Sequence, residues 1–246
     1  MRALEKALKI IEEGERYGAT IRLLGGLAIY YHSPSAREAG LSRTYGDIDL
    51  FGLSHQTKII KNVMERLGYA PNERFNALHG GRRLIYHDEA SSIRVDILLD
   101  YFEMCHRIDL RDRLKIDNVT IPLADLLLTK LQIVELNEKD IKDIVALLLD
   151  HELREGEGDE AIGIKYIARL CSADWGLEKT VKTTLDRVSE WVKNNINGEA
   201  QRNSVISKIE GIRSAIDSEP KALRWRLRAA IGERVRWYEI PEEPLR

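Results

Sequence analysis

Cysteine is scarce in this chain, two in 246 residues. Cys105 and Cys171 lie far apart with no CxxC or Cys/His ligand spacing, which argues against a zinc site and against a disulfide-stapled secreted domain. A reduced, cytoplasmic setting fits. Long apolar runs are also missing: nothing approaches the roughly 20 residues of a spanning helix, so no membrane association is expected. The opening segment, MRALEKALKIIEEGERYG, alternates charge with Leu and Ile at helical spacing and has no uninterrupted apolar stretch of the signal-peptide kind. Charge of one sign is lacking as well. A formal net charge of −2 provides no global positive field to hold nucleic acid, so any such contact has to come from a local patch. No internal repeat or low-complexity tract is present. What remains, 43% hydrophobic and 32% charged residues, is the composition of a soluble globular chain long enough for one large domain or two modest ones.

Periodicity divides the chain near Pro122. Leu4, Leu8, Ile10 and Ile11 predict an amphipathic helix ending between Gly14 and Gly18. Ile21–Leu24 reads as a buried strand, Gly25-Gly26 as a glycine turn, and LAIYYH as the start of a helix. A polar loop follows Pro34. Asp47-Ile48-Asp49-Leu50-Phe51 then alternates as a strand does. Ile59, Val63 and Leu67 predict a helix capped by Gly68. Further strands are expected at Arg82–His87, Ile93–Leu99 and, last, Val119–Ile121. Beyond Pro122 only helical periods are expected, at 123–136, 140–151, 162–170, 180–194, 204–218 and 221–238. The glycine-bearing acidic stretch 154–160 reads as a linker. The expected architecture is α+β: a mixed sheet with flanking helices over 1–121, followed by an all-helical region over 122–246.

Three features of the first half belong together physically. Residues i and i+2 of a strand share a face, so the carboxylates of Asp47 and Asp49 project together while Ile48 and Leu50 enter the core. Asp96 lies on a later strand, with Arg94 and Leu98 on its face. If that strand is a neighbour, about 4.8 Å away, a third carboxylate joins the first two. Carboxylates about 4 Å apart repel by about 1–4 kcal/mol per pair, so a fold that gathers three calls for a cation. Hard oxygen donors on a rigid sheet suit Mg²⁺, which shares its shell with substrate phosphates. Taken singly, a Gly-Gly pair is also an ordinary turn, and an Asp-x-Asp pair is also the solvent face of an edge strand.

The segments LLGGLAIYY, YGDIDLF and IRVDILL resemble the nucleotidyltransferase superfamily with the polymerase-β-like fold. Its signature is strand, Gly-Gly or Gly-Ser, helix, then Dx[DE] and a third acid on a separate strand. The wording RLLGGLAIYYHSPS…RTYGDIDLFG, with LLLTKLQIVELNEKDIKDI, is similar to the branch related to the AbiEii toxin nucleotidyltransferases. The likeness covers roughly residues 20–150 and makes loop 33–46 an insertion beside the site. It implies that the backbone N–H groups of Gly25 and Gly26 receive a triphosphate at a helix N-terminus. It implies that Asp47 and Asp49 hold two Mg²⁺ (or Mn²⁺) ions, and that Asp96 binds the ion that activates the acceptor hydroxyl. Arg43 from the loop and Lys130 from an apolar helix are the implied phosphate contacts. An NTP is then the substrate, ATP among the candidates, and the acceptor is a tRNA or other RNA end, a protein or a small molecule. A toxin-like protein would also have an antitoxin partner.

Other residues offer less. Arg43 is equally a solvated loop arginine and Lys130 a snorkelling lysine, while Asp140 and Asp143 share a helix face and can pair with neighbouring lysines. His79, beside Gly80-Gly81-Arg82-Arg83, is a candidate general base or nucleotide contact or else an ordinary loop histidine, His32, His87, His106 and His151 lack metal-ligand spacing, and Ser33 and Ser35 have no nucleophile-elbow context. In the tail, Leu223, Leu227 and Ile231 form an apolar stripe among Arg224, Arg226, Arg228, Arg234 and Arg236, with Trp225 and Trp237 interleaved. That is either a nucleic-acid signature or a docked terminal helix with a solvated face. Three functional readings follow: a nucleotidyltransferase, a catalytically silent nucleotide-binding or scaffold module on the same fold, and a phosphodiester hydrolase, for which the Gly-Gly element would have no triphosphate to cradle.

Overall fold

Helix α1 (Arg2–Arg16) buries Ala3, Ala7, Ile10, Ile11 and Gly14, the i, i+4, i+7, i+8 stripe of an amphipathic helix. Leu4 and Leu8 sit half-buried at its margin. A computed structural model of the chain describes residues 2–38, 40–158 and 160–240. Strand β1 (Arg22–Leu24) runs straight into helix α2 (Gly25–His32), so the glycine pair opens the helix and forms no separate turn. Strand β2 (Ile48–Gly52), helix α3 (Thr57–Arg66), strand β3 (Ala70–Pro71), helix α4 (Glu73–His79) and strands β4 (Arg83–Asp88) and β5 (Ile93–Leu99) follow. The strands form a mixed five-stranded sheet of order β1-β2-β5-β4-β3. β2 and β5 are parallel, and the other neighbours are antiparallel.

One face of this sheet carries Ile48, Leu50, Leu84, Tyr86, Val95 and Ile97, all buried. Helices α1 and α3 serve this face. Lys6 of α1 pairs with Asp88, and Ile60 of α3 occupies the place a Gly52 side chain would take, 2.9 Å from its Cβ position. The period-two rule then sends Asp49, Asp96 and Arg83 to the other face.

Helix α4 lies in a stretch whose sequence shows no apolar period. Asn72 caps it, accepting from the Phe75 N–H at 3.1 Å. Its one buried side chain is polar: Asn76 donates to the Ile85 carbonyl at 3.0 Å and accepts the Ile85 N–H at 2.8 Å. Leu78 faces out, 72% exposed, which inverts the usual apolar-in, polar-out order of an amphipathic helix. Strands β6 (Tyr101–Glu103) and β7 (Arg107–Asp109) form a two-stranded ribbon. The strand signal at 119–121 is a single parallel bridge, Leu23 to Thr120, on the outer edge of β1.

Contacts divide the chain into two compact units. The first comprises Met1–Tyr31, Arg43–Phe102 and Ile108–Pro122, and the second comprises His32–Ser42, Glu103–Arg107 and Leu123–Arg246. The second contains helices α5 (Leu123–Leu131) and α6 (Glu138–Asp150), strands β8 (Glu152–Arg154) and β9 (Ala161–Gly163), and helices α7 (Ile164–Ala173), α8 (Trp175–Asn195), α9 (Glu199–Ser218) and α10 (Leu223–Ile231). Its expected all-helical character is corrected by β8 and β9, which pair in parallel from Glu152↔Ala161 to Arg154↔Gly163. Strands of three residues are too short to display alternation, and the stretch 154–160, read as a linker, joins them. The core of the second unit includes Val181, Leu185, Val188 and Val192 of α8 and Val205, Ile209, Ile212 and Ile216 of α9. Ser35 belongs to this unit too, its N–H and hydroxyl donating to the Asp150 carboxylate at 2.9 and 2.6 Å.

Candidate functional site

The junction of β1 and α2 brings the glycine pair against two of the sequence-predicted residues. Gly25 has φ +68°, a conformation that costs an L side chain, and a Cβ there would lie 2.4 Å from Asp49 Oδ2. Register explains the proximity, since Leu24 pairs with Asp49 across β1 and β2. At Gly26 a Cβ would lie 1.8 Å from Arg43 Nη2 and 2.9 Å from the Tyr45 ring. Arg43 itself stacks over that ring, its Cζ 4.3 Å from the centroid. The start of an eight-residue helix, whose first N–H groups have no intrahelical partner and whose dipole end is positive, is therefore closed in by one carboxylate and one guanidinium.

Asp96 is brought to the same face. It is the register partner of Asp49 across the parallel β2–β5 pairing and of Ile85 on β4. It is 6% exposed and fully engaged. Arg83 Nε donates to Oδ1 at 2.7 Å, and Arg83 Nη2 and Arg94 Nη2 donate to Oδ2 at 2.5 and 3.0 Å. The hydrogen bond to Asp96 raises the Arg83 pKa above its ordinary value against the opposing effect of burial, and the charges of Asp96 and Asp49 add to the rise. Asp49 is thus near enough to Arg83 to act on it. The face holds a mixed acid–arginine cluster in which guanidinium groups already offset the carboxylate repulsion.

Asp47 stands exposed in a bend, one residue before β2 begins. Lys130 belongs to the second unit, where its ammonium contacts Asp140 at 2.8 Å and Asp143 at 2.9 Å. Burial alone would lower its pKa, but Asp143 and Asp140 outweigh that, and the net direction is up. Asp140 and Asp143 thus pair with Lys130. His79 is exposed in the last turn of α4 with its ring 4.7 Å from Phe75.

Arg83 is the functional candidate that sequence reading missed. Arg94 shares a strand face with Asp96 by spacing alone, whereas Arg83 reaches it only through the antiparallel register of β4 on β5.

A scan against protein-family models gives no match, and a search of curated proteins finds no similar sequence. The chemistry of the site therefore has to come from its geometry. Among the described residues no helix is long and apolar enough to cross a membrane, and no three His, Cys, Asp or Glu side chains gather in an arrangement that could hold a metal. A three-carboxylate cage does not fit the site as it stands, because both oxygens of Asp96 accept from arginine. Asp49 does fit a cation chemically: it is a hard oxygen donor next to a helix N-terminus, with room in the ion's shell for phosphate oxygens and water, and Asp47, two residues earlier in the chain, is a donor of the same kind.

Proposed function

We propose that the chain is a Mg²⁺-dependent nucleotidyltransferase that moves a nucleoside monophosphate from an NTP to a hydroxyl acceptor and releases pyrophosphate. The observation that carries this reading is the Asp49 carboxylate lying against the positive-φ Gly25 at the N-terminus of α2, with Asp96 beside it in register. A helix N-terminus favours an anion. A triphosphate placed there would meet Asp49, and two such charges about 4 Å apart repel by about 1–4 kcal/mol unless a cation lies between them. One anion-binding element built against one carboxylate is therefore the arrangement expected for a metal–triphosphate complex. The strand–Gly-Gly–helix junction and acids on adjacent strands of a mixed sheet further support a nucleotidyltransferase-like arrangement.

In this proposal Asp47 and Asp49 hold the ion, which when bound supplies charge neutralisation at the phosphates. The N–H groups of Gly25 and Gly26 and the Arg43 guanidinium position the phosphates and offset their charge. The acceptor oxygen bonds to the α-phosphorus, the α-phosphorus–bridging oxygen bond breaks, pyrophosphate leaves with the electron pair, and the hydroxyl proton passes to base. Asp96 takes part in metal binding or proton removal only when Arg83 lets go of it, and phosphate oxygens are the alternative acceptors that would draw Arg83 away.

The engagement of Asp96 by two arginines favours a second reading, a catalytically silent nucleotide-binding module. Turnover separates the two. With each labelled NTP, Mg²⁺ and RNA or protein extracts as acceptor source, the enzyme reading expects pyrophosphate release and labelled acceptor, both lost in Asp47→Asn. Nucleotide binding without pyrophosphate would establish the silent module, and release of monophosphate would establish a hydrolase. A toxin-like role predicts that expression arrests growth and that Asp47→Asn relieves it.

A further inference from the structure

Helix α10 is docked by its aromatic side and leaves its aliphatic side uncovered. Trp225 Nε1 donates to Glu178 at 2.9 Å, Arg224 Nε donates to the Ala173 carbonyl at 2.6 Å, and the Arg228 guanidinium sits 4.8 Å over the Trp175 ring. Farther along, Trp237 Nε1 donates to Thr180 at 3.1 Å. The residues facing away are Leu223, Arg226, Leu227, Ala230 and Ile231, spaced i, i+3, i+4, i+7, i+8 as on one face of a helix. Leu223, Leu227 and Ile231 are 74, 64 and 45% exposed, and Val235, beyond the helix end, is exposed as well.

We propose that this face docks an acidic amphipathic helix of a partner protein. Apolar anchors one turn apart on a helix of about 14 Å suit helix-against-helix recognition. The exposed charge on and just beyond this face is mostly positive. Arg226 lies on the stripe's own face, and Arg234 and Arg236 are exposed a few residues past the helix end, while Glu233 is paired with Lys179 at 2.6 Å and Glu239 is the one exposed acid that follows among the described residues. A second copy of α10 would bring arginine against arginine, which disfavours self-association. A single strand of nucleic acid needs exposed rings for its bases, and a bilayer interface takes up Trp and Tyr. Trp225 and Trp237 instead face inward on Glu178 and Thr180. Aliphatic anchors with a cationic rim and no outward tryptophan match an apolar helix face bordered by Asp or Glu.

The test is fluorescence anisotropy of the full chain with two labelled synthetic helices of about 16 residues. Both carry the same leucine stripe, one bordered by glutamate and the other by lysine. The glutamate helix is expected to bind at least about tenfold more tightly. Leu227→Ser should abolish that binding and Arg226→Glu should shift preference to the lysine helix, with circular dichroism and melting unchanged because both residues are exposed. The proposal is overturned by equal or absent binding of the two helices, or by binding that survives Leu227→Ser. It is equally overturned if the wild type sediments as a dimer that Leu227→Ser dissolves. Preference for oligouridine or for phosphatidylglycerol vesicles over the glutamate helix also overturns it.

Discussion

Two glycines of the first unit share a backbone conformation and differ in what surrounds them. Gly18 has φ +83° with nothing within 4 Å of a Cβ, whereas Gly25 has φ +68° with Asp49 Oδ2 at 2.4 Å. Gly18→Ala should therefore cost only the conformational penalty, about 1 kcal/mol. Gly25→Ala should cost about 1–2 kcal/mol more, as overpacking adds to strain. In Gly25→Ala/Asp49→Ala the extra cost should vanish, a non-additivity that urea unfolding would measure. Equal costs at 18 and 25 would mean that Asp49 does not abut the helix start. The Asp-x-Asp spacing and the Gly-Gly pair after an apolar run are local patterns and so visible in the chain, although Asp47 falls one residue before β2 and the glycines open α2. The Asp49–Gly25 contact and the Arg83 clasp on Asp96 are not legible: both depend on how many residues each strand is offset from its neighbour, and a one-residue slip would send each side chain to the opposite face.

The helices are fixed to their surroundings by a few charged pairs whose pH dependence can be read. The Asp88 carboxyl is held down to about 2, first by its hydrogen bond from Lys6 of α1 and then by Ser91. An unfolded aspartate titrates near about 3.9. The stabilisation from Asp88 is thus fully present above that value and is lost as the pH falls toward about 2. Urea midpoints followed downward from neutral pH should fall less steeply in Asp88→Asn than in the wild type, and superimposable acid limbs would refute the pair. Lys130 joins α5 to α6 through Asp140 and Asp143. Lys130→Met should strand two acids and cost about 3–5 kcal/mol without any nucleotide present. An unchanged melting temperature would mean that these pairs contribute no stability. The 3.6-residue period marks α6, α8 and α9, whereas the helix expected at 221–238 ends at Ile231, just before Gly232 at φ +60°, and the one expected at 123–136 ends at Leu131. Helix α4, whose buried residue is Asn76, and the three-residue strands β8 and β9 have no such period, and the outward turn of α10 follows from Trp225 finding Glu178.

At the level of the whole chain, near-neutral charge and scarce cysteine bound the class and periodicity marks a division near Pro122, while two short segments of the partition go unread. Residues 32–42 and 103–107 join 123–246 in the second unit. They are held there by Ser35 on Asp150 and by His106, whose N–H donates to Gln132 at 2.7 Å and whose ring meets Thr180 at 2.8 Å. These are long-range pairings that no window of sequence reveals. The carboxylate face belongs to the first unit and is the proposed seat of a metal–triphosphate complex. The decisive experiment is calorimetric titration of the wild type and Asp49→Asn with each of the four NTPs, with Mg²⁺ and in chelator. Mg²⁺-dependent binding of at least one NTP, weakened about tenfold or more in Asp49→Asn, is the expected result. Absence of binding to all four, or binding that neither chelator nor Asp49→Asn diminishes, would contradict it.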